Sequence, residues 1–341
     1  MKKIFTMIVL SMALYLLSGC NGNQGTFPEF DESHQVFMSS EEVVNLLSSI
    51  DGETQLYEVM LLSIDLDISV KEEFMDIWTY TKISENTADI KLQSKTYISL
   101  AEDISEVQLI SNTEIDAVIK STHMEDESLN EEETITGTVD AYFSNQNIYY
   151  DADVKGGSAY MDNGKYKINV GITQAMWDEI YSDTFLDDYA DVDSDLVSSL
   201  NDQKMINTLF ATEMIRTYQI GDETIIVLDL EKQELLEHAN QILNSMYDTS
   251  TWTNTDYIEH KYEIFDQPLS AFEFFDTQIA IVIKDNQVTK IGCDMYMYSM
   301  HNREKVEISG RIVFDMFAEM PKMPGDLEDY ELTDLPLEMF F

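Results

Sequence analysis

The fold class of this chain is decided by one stretch, Leu62–Val70, which reads LSIDLDISV. Apolar side chains occupy every second position, and serines and aspartates fill the positions between them. Because successive side chains of a strand point to opposite faces, this alternation predicts a strand with one apolar and one solvated face. Antiparallel sheets accept one wet face, whereas parallel sheets are buried on both sides. The stretch therefore predicts an antiparallel sheet.

Similar strand-like patterns recur along much of the chain. Turn residues join neighbouring strands, most clearly at Asn163-Gly164 and Gly221-Asp222, since asparagine and glycine accept the positive φ angles of tight hairpins. The further predicted strands are Tyr97–Leu100, Val107–Ile110, Val139–Phe143, Ile148–Ala152, Ala159–Met161, Lys165–Ile172, Met214–Ile220, Glu223–Leu228, Ile258–Ile264, Thr277–Ile283, Val288–Met300 and Val306–Phe314.

Three segments carry helical spacing instead. A short helix over Ser39–Ile50 opens with a capping box between its first residue and Glu42. The block Thr173–Thr208 is helical in pattern, and Leu230–Met246 has an apolar stripe with Asp229 as its candidate N-cap. A few helices among many strands predict an α+β fold.

The strand pattern continues without a proline- or serine-rich linker. Residues 37–330 are therefore predicted to form a single α+β domain, followed by an irregular tail at 331–341. The alternative is two related halves, about 37–172 and 210–330, with a helical insert at 173–208.

The amino terminus has the pattern of a targeting segment. Two lysines precede a mainly apolar run of 14 residues, Ile4–Leu17, and the run ends in the tetrapeptide Leu17-Ser18-Gly19-Cys20. A run of this length suits a signal peptide and is short for a membrane span. The tetrapeptide resembles the lipobox of bacterial lipoproteins.

This resemblance implies that residues 1–19 are a signal peptide and that Cys20 becomes an acylated first residue, for example with palmitate. Residues 20–36 would then be a flexible tether. The protein would be lipid-anchored at the extracytoplasmic face of the cell membrane. The alternatives are an ordinary secretory signal with an accidental cysteine and a plain transmembrane anchor.

The chain is strongly acidic, with 65 Asp and Glu against 20 Lys and Arg and a formal net charge of −45. Phosphate binding needs clustered cations, so no nucleic-acid partner is expected. Anionic headgroups would repel such a body, and the expected contact with the membrane is through the acyl chains. Residues 123–134 are predicted to form an acidic exposed loop.

Motifs for catalysis and metal binding are incomplete. Glu234–His238 lacks the second histidine of a zinc-peptidase helix. Asp191–Asp202 begins like a calcium loop but has Leu196 where glycine is needed. Gly156–Ala159 lacks the closing glycine of a nucleophile elbow. We therefore expect no enzyme, no catalytic residues, no metal site and no cofactor.

The histidines and the remaining cysteine are predicted to be structural. Cys293 lies in a predicted strand, where a buried thiol is the expected state. His260 is expected on an apolar strand face in a hydrogen-bonded core role. The five histidines are dispersed along the sequence: His34, His123, His238, His260 and His301.

Large adaptable side chains are common, with 19 Met, 18 Tyr and 16 Phe. In the last long strands, Met295 and Met297 share one face with Cys293, and Tyr296 and Tyr298 share the other. Methionine repacks around variable surfaces. This pattern indicates either a sheet that curls around an apolar ligand or an ordinary Met-rich core.

The order of these features is similar to that of the LolA/LppX-type envelope lipoproteins. The resemblance rests on the lipobox at Cys20, the short first helix, the long antiparallel strands, the mid-chain helices and Tyr-rich hairpins such as Ile148-Tyr149-Tyr150. It implies a large curved antiparallel sheet, an unclosed half-barrel covered by a few helices, that holds lipid or another apolar molecule. It assigns no individual ligand-binding residues.

Three hypotheses follow from these patterns. The first is a non-enzymatic lipoprotein that binds an apolar or lipid-like ligand in the concave face of the sheet. The second is an envelope protein–protein interaction module with a fully packed core and no ligand cavity. The third is a weak hydrolase, for which the sequence displays no assembled site.

Overall fold

The computed structural model describes residues 27–50, 59–75, 79, 81–99, 101, 103–124, 126–156, 163–169, 171, 173–180, 203–247, 249–301 and 304–332. It confirms the α+β class, with an open sheet of thirteen strands in the order β1-β8-β9-β10-β11-β12-β2-β3-β4-β5-β6-β7-β13. The sheet is mostly antiparallel, and β13 pairs with β7 in parallel. The strands are β1 (Gln35–Val36), β2 (Val59–Met75), β3 (Lys82–Ser99), β4 (Gln108–His123), β5 (Glu131–Ser144), β6 (Asn147–Lys155), β7 (Gly164–Asn169), β8 (Ile215–Ile220), β9 (Glu223–Glu231), β10 (Phe274–Lys284), β11 (Gln287–His301), β12 (Glu304–Asp315) and β13 (Glu331–Leu332).

The described helices are α1 (Ser40–Ser48), α2 (Gln174–Ile180), α3 (Gln203–Ala211), α4 (Lys232–Met246) and α5 (Asn254–Lys261). Helix α5 continues through a π-helical turn, Tyr262–Asp266, into Gln267–Leu269. Short 3₁₀ turns lie at Glu32–His34, Glu127–Leu129 and Leu327–Asp329.

The described residues fall into two compact units. Unit 1 takes its residues from 57–179 and 314–341, and unit 2 takes its residues from 26–56 and 180–313. Unit 1 is built mainly from the long strands β2–β5 and the shorter β6 and β7. Unit 2 is built from strands β1 and β8–β11, most of β12, and helices α1, α3, α4 and α5.

The hairpin predicted at Asn163-Gly164 differs in the structure, because Gly164 begins β7, β7 pairs with β6, and the predicted partner strand Ala159–Met161 lies outside the described residues. The β5–β6 and β10–β11 hairpins close where the sequence predicts them. Asn145 and Gln146 have φ angles of 49° and 63° between β5 and β6, and Asp285 and Asn286 have φ angles of 51° and 61° between β10 and β11. Two successive positive φ angles match the right-handed twist of the strands that they connect. These two-residue turns fix the pairing register of each hairpin.

A packed core covers one face of the unit 2 strands. The capping box of α1 is confirmed, because Ser39 accepts a hydrogen bond from the Glu42 backbone and the Glu42 carboxylate accepts one from the Ser39 backbone. The fully buried residues of this core come from α1, α3, α4 and the residue just before β8: Val43, Ile206, Leu243 and Met214. The apolar stripes of these helices therefore close that face.

The predicted strand Ile258–Ile264 is wrong, because this segment belongs to α5 and its π-helical turn. Thr253 and Asp256 form a capping box at the start of the helix. Phe265 and Leu269, four residues apart, are buried in the unit 2 core. The helix cap and the burial of this pair favour a helix here, although the residues also alternate with a period of two.

Two further boundaries differ from the predictions. Asp229 is not an N-cap, because it lies within β9, and α4 begins at Lys232 without a side-chain cap bond. The acidic stretch 123–134 is only partly a loop, because β5 already begins at Glu131. Of the predicted helical block, α2 and α3 are seen and residues 181–202 lie outside the described part of the chain.

Candidate ligand-binding face

Unit 1 has one apolar sheet face, which we define by the even-numbered residues of β2 from Met60 to Val70 and their cross-strand partners. Antiparallel registers without a shift connect these residues across β3, β4 and β5. Because side chains alternate across a strand, every residue paired with an even position of β2 lies on the same face. The face therefore follows directly from the register.

The apolar face is nearly continuous over five rows. From one end to the other, the rows are Met60-Ile98-Leu109-Phe143-Ile148-Ile168, Leu62-Thr96-Ser111-Ala141-Tyr150-Tyr166, Ile64-Ser94-Thr113-Val139-Ala152-Gly164, Leu66-Leu92-Ile115-Gly137-Val154 and Ile68-Ile90-Ala117-Ile135. Buried members include Leu62 with 1% of its surface exposed and Ala152 with 3%.

A block of hydroxyl side chains interrupts the apolar face near its middle. Thr96 and Ser111 are buried neighbours, and their hydroxyl oxygens lie 2.8 Å apart. Ser94 and Thr113 occupy the next row and are also buried. Buried hydroxyls need hydrogen-bond partners, so this block is the polar feature that an otherwise apolar face offers.

One end of unit 1 is held by α2. The Trp177 indole nitrogen donates a hydrogen bond to the Ala101 carbonyl oxygen at 2.9 Å. The Ile104 backbone donates to the Gln174 side-chain oxygen at 3.0 Å. Both Ile104 and Trp177 are buried, so the loop between β3 and β4 is attached to this helix.

The other end of the apolar face becomes polar. After the row that contains Val70 comes a row of Glu72, Asn86, Ser121 and Glu131. The Ser121 hydroxyl donates to the Asn86 side-chain oxygen at 2.9 Å. The long strands of unit 1 are thus apolar on this face only over part of their length.

The opposite, outer face of unit 1 carries a cross-strand row of charges. The row connects Lys95, Asn112, Asp140, Asp151 and Lys165 over β3–β7. Burial and the neighbouring Asp151 carboxylate raise the pKa of Asp140. Asp140 and Asp151 lie directly opposite each other, which is an unfavourable placement for two like charges.

The carboxy-terminal segment lies over this charged row. Lys165 pairs with Asp326 and lies 3.5 Å from Asp151. The Tyr330 ring packs edge-on against Tyr149 with centroids 5.6 Å apart. Burial, followed by the Asp151 charge, raises the pKa of Tyr330 to about 12. These contacts fix the outer side of the same strands that form the apolar face.

The sequence-predicted site residues are distributed as follows. Cys20, the calcium-like loop 191–202 and the segment Ala159–Met161 lie outside the described residues. Cys293 is a free thiol on β11, and burial raises its pKa to about 11. His260 lies on α5, not on a strand; its Nδ1 is 2.9 Å from the Asp256 carbonyl oxygen and its ring lies 4.2 Å from Trp252.

The Met-rich strand, for which the sequence left open a ligand-lining role or an ordinary core, is β11 of unit 2. Met295 is buried, and Ile291 on the same face of β11 packs against the helix-covered core. The face of β11 with Cys293 and Met295 is therefore covered by helices, and the face with Tyr296 and Tyr298 lies on the opposite side of the sheet. The hydroxyl block and the charged row of unit 1 were not predicted, and their only local signal is the run Ser94-Lys95-Thr96 inside a strand.

The described residues contain neither a metal-binding cluster nor a membrane-spanning helix. No three His, Cys, Asp or Glu residues in this part of the chain are placed to share a metal ion. None of the helices described combines the length and the apolar character needed to span a bilayer.

Comparison with known proteins adds little to this geometry. Neither a family model nor a curated protein matches the chain. One similar solved structure is the translocator domain of the autotransporter NalP from Neisseria meningitidis, with 7% identity over 81% of this chain and 94% of that one and a TM-score of 0.18. Another is a β-barrel-like protein of a domain of unknown function from Brucella abortus, with 7% identity over 76% of this chain and 99% of that one and a TM-score of 0.15. TM-scores this low carry no argument about function.

Proposed function

We propose that this chain is a bacterial lipoprotein, held at the extracytoplasmic face of the membrane by acyl chains on Cys20, that binds an apolar or lipid-like ligand on the apolar face of unit 1. The protein acts by binding and not by catalysis. The observation that carries this proposal is the continuity of the apolar face over five rows and up to six strands.

The chemistry of the face suits a ligand with an apolar body. Aliphatic residues such as Leu66, Leu92 and Ile115 form a cross-strand row without a charged side chain. Removing apolar surface from water contributes about 25 cal/mol per Å², before the costs of association.

The ligand proposal is tested by native mass spectrometry of protein purified under mild conditions. A bound apolar species is expected, together with a rise in melting temperature across a lipid panel. Ala152→Leu adds bulk in the middle of the apolar face and should lower the bound fraction. Ala175→Leu adds the same bulk on the exposed surface of α2 and serves as the control.

Two results of the mass-spectrometry experiment would count against the ligand proposal. A clean unliganded mass with no thermal shift would contradict the ligand proposal. Equal occupancy in Ala152→Leu and Ala175→Leu would show that any bound molecule lies elsewhere.

The anchor is tested separately by growing cells with labelled palmitate. Incorporation is expected in the natural chain and in Cys293→Ser, and it should disappear in Cys20→Ala. Labelling that survives in Cys20→Ala would overturn the assignment of the anchor to this residue.

The second candidate function is an envelope protein–protein interaction module. The packed core of unit 2, in which Val43, Ile206 and Leu243 are completely or almost completely buried, favours it. Crosslinking in cells would then recover one defined partner protein, and the apolar lipid panel would leave the melting temperature unchanged.

A further inference from the structure

The first described residues of the chain form a strap, which we define as Phe27–Val36, on unit 2. Phe27 and Phe30 pack against a cluster that includes Tyr218, Val227 and Ala280. The Phe30 and Tyr218 ring centroids are 4.6 Å apart. We call this side of the β8–β11 strands the strap face; it is opposite to the face covered by helices. These ten residues of the predicted tether therefore have defined contacts.

The strap fits closely because a glycine faces it. A Cβ atom at Gly292 would lie 2.7 Å from a ring carbon of Phe27 and 2.7 Å from Cδ of Pro28. The guanidinium of Arg311 lies 5.4 Å from the centroid of the Phe27 ring. Any larger side chain at position 292 would displace the start of the strap.

The strap then passes the edge of the sheet to the helix-covered side. Val36 pairs with Thr217 of β8, whose hydroxyl donates to the Val36 carbonyl oxygen at 2.6 Å. Helix α1 follows and contributes Val43 and Leu47 to the core on the other face. The chain is thereby attached to both faces of unit 2.

The strap face also carries an exposed apolar patch. The register places Phe274 and Tyr298 on the same row of this face, with Tyr296 on the next. Phe274 is 66% exposed, Tyr296 is 37% exposed and Met300 is 60% exposed. Aromatic side chains with a polar tip are favoured at the boundary between lipid headgroups and acyl chains.

The cations of this face are balanced by acids. Arg216 pairs with Asp229, and Arg311 donates to Asp294 at 3.1 Å through Nε. The opposite side of unit 2 exposes acidic residues of the helices, among them Glu237. The strap face therefore presents two ion pairs next to an apolar patch, together with the exposed Asp276 opposite Tyr296. Burial and the Asp229 and Asp294 carboxylates raise the pKa of Asp276, which favours its uncharged form at a bilayer.

We propose that the strap face of unit 2 lies against the lipid surface, with Phe274, Tyr296 and Met300 at the headgroup boundary. This inference rests on the proposed acylation of Cys20. Seven residue steps separate Cys20 from Phe27, so the start of the strap lies within about 25 Å of the acylated residue even if the chain between them is fully extended. The segment that follows Cys20 therefore leads to one particular face of unit 2.

The test uses acylated full-length protein in phosphatidylcholine vesicles that contain spin-labelled lipid. A Cys293→Ser background removes the native thiol, and an environment-sensitive fluorophore is attached to Met300→Cys or to Glu237→Cys on α4. Because a docked apolar patch inserts only into the headgroup region, quenching by the spin label should be about threefold greater at position 300 than at position 237. Equal or reversed quenching on acylated protein would overturn the inference alone.

Two controls make the result specific. Fatty-acid incorporation is measured on the same samples, and its absence would overturn both the anchor and this inference. Gly292→Leu should displace the strap and lower the quenching at position 300 toward that at position 237, while acylation is retained. Unchanged quenching in Gly292→Leu would show that the strap does not direct this face to the membrane.

Discussion

The apolar faces of the two units are built from the same kind of strand but differ in what they meet. In unit 2, helices α1, α3 and α4 pack on the strands, and residues such as Leu243 and Ile206 close a continuous core. In unit 1, the described residues include one helix, α2, which is two turns long. The apolar face of unit 1 instead contains a buried hydroxyl pair, Thr96 and Ser111.

This difference shows that alternating apolar residues specify an apolar face of a strand but not what covers that face. A half-buried antiparallel strand gains stability from any apolar partner that covers it, whether a helix, another strand or a bound molecule. In unit 2, helices of the same chain cover the apolar face. In unit 1, we propose that a bound ligand covers part of the apolar face.

The largest expected effect separates the two faces directly. Leu243→Ala should lower the stability of unit 2 by about 3–4 kcal/mol, because it leaves a cavity among fixed neighbours. Ile68→Ala, at a half-buried position of the unit 1 face, should cost only about 1–2 kcal/mol in protein freed of lipid, because fewer packed neighbours surround the site. Hydrogen exchange of β9–β10 and of β2–β4 peptides measures each unit separately.

Leu332→Ala, at an exposed position, is the control for this pair. Equal losses for Leu243→Ala and Ile68→Ala would mean that the unit 1 face is packed as tightly as unit 2. That result would favour the interaction-module candidate over the ligand-binding proposal.

The local parts of this fold could be predicted from sequence, and the non-local parts could not. The turns at Asn145 and Asp285 were predictable because turn residues and flanking alternation lie within one short window. The segment Ile258–Ile264 was misassigned because its apolar residues also fit a period of two, while the Thr253 cap lies outside that window. A local pattern can predict the wrong element when the residue that caps the helix lies outside the window that shows the pattern.

The candidate face shows the same limit more strongly. Leu62–Val70 indicates that an apolar face exists, but only the register reveals that Thr96 and Ser111 meet on it. The charged row from Lys95 to Lys165 spans five strands and about 70 residues of sequence, so no single window contains it. Sequence patterns fix faces, whereas pairing across the sheet decides which residues become neighbours.

The second prediction concerns the hydroxyl block. Thr96→Val should cost about 1–2 kcal/mol, because it leaves the buried Ser111 hydroxyl without this partner. The double change Thr96→Val with Ser111→Ala should cost less than the sum of the single changes, since both polar groups are then removed. A double-mutant cycle by denaturant unfolding measures the coupling. Additive losses would mean that the 2.8 Å contact contributes nothing to stability.

The third prediction concerns the opposed aspartates on the outer face. Asp140→Asn should stabilise unit 1 at neutral pH by roughly 0.5–1 kcal/mol, because it removes one of two like charges that face each other across the strands. The raised pKa of Asp140 gives the sign: the folded state favours the protonated acid, so stability falls as pH rises through the carboxyl range. Asp153→Asn, on the exposed neighbouring row, is the control. A loss of stability in Asp140→Asn would show that Lys95 and Lys165 already balance the pair.

The smallest expected effect is a pH dependence at the far end of the unit 1 strands. Lys71, whose nitrogen lies 2.7 Å from the carboxylate, and Lys82 together lower the pKa of Glu85 to about 2. A lowered folded-state pKa means that the stabilisation is present above the ordinary glutamate range and is lost as pH falls from about 4.5 to about 2. The melting temperature of Glu85→Gln should therefore lie slightly below that of the natural chain at pH 6 and converge with it toward pH 2. The control, Glu127→Gln on an exposed turn, should show no such convergence. Because these groups are largely solvated, added salt should shrink the difference, and a gap that persists at pH 2 would mean that packing, not charge, distinguishes the variant.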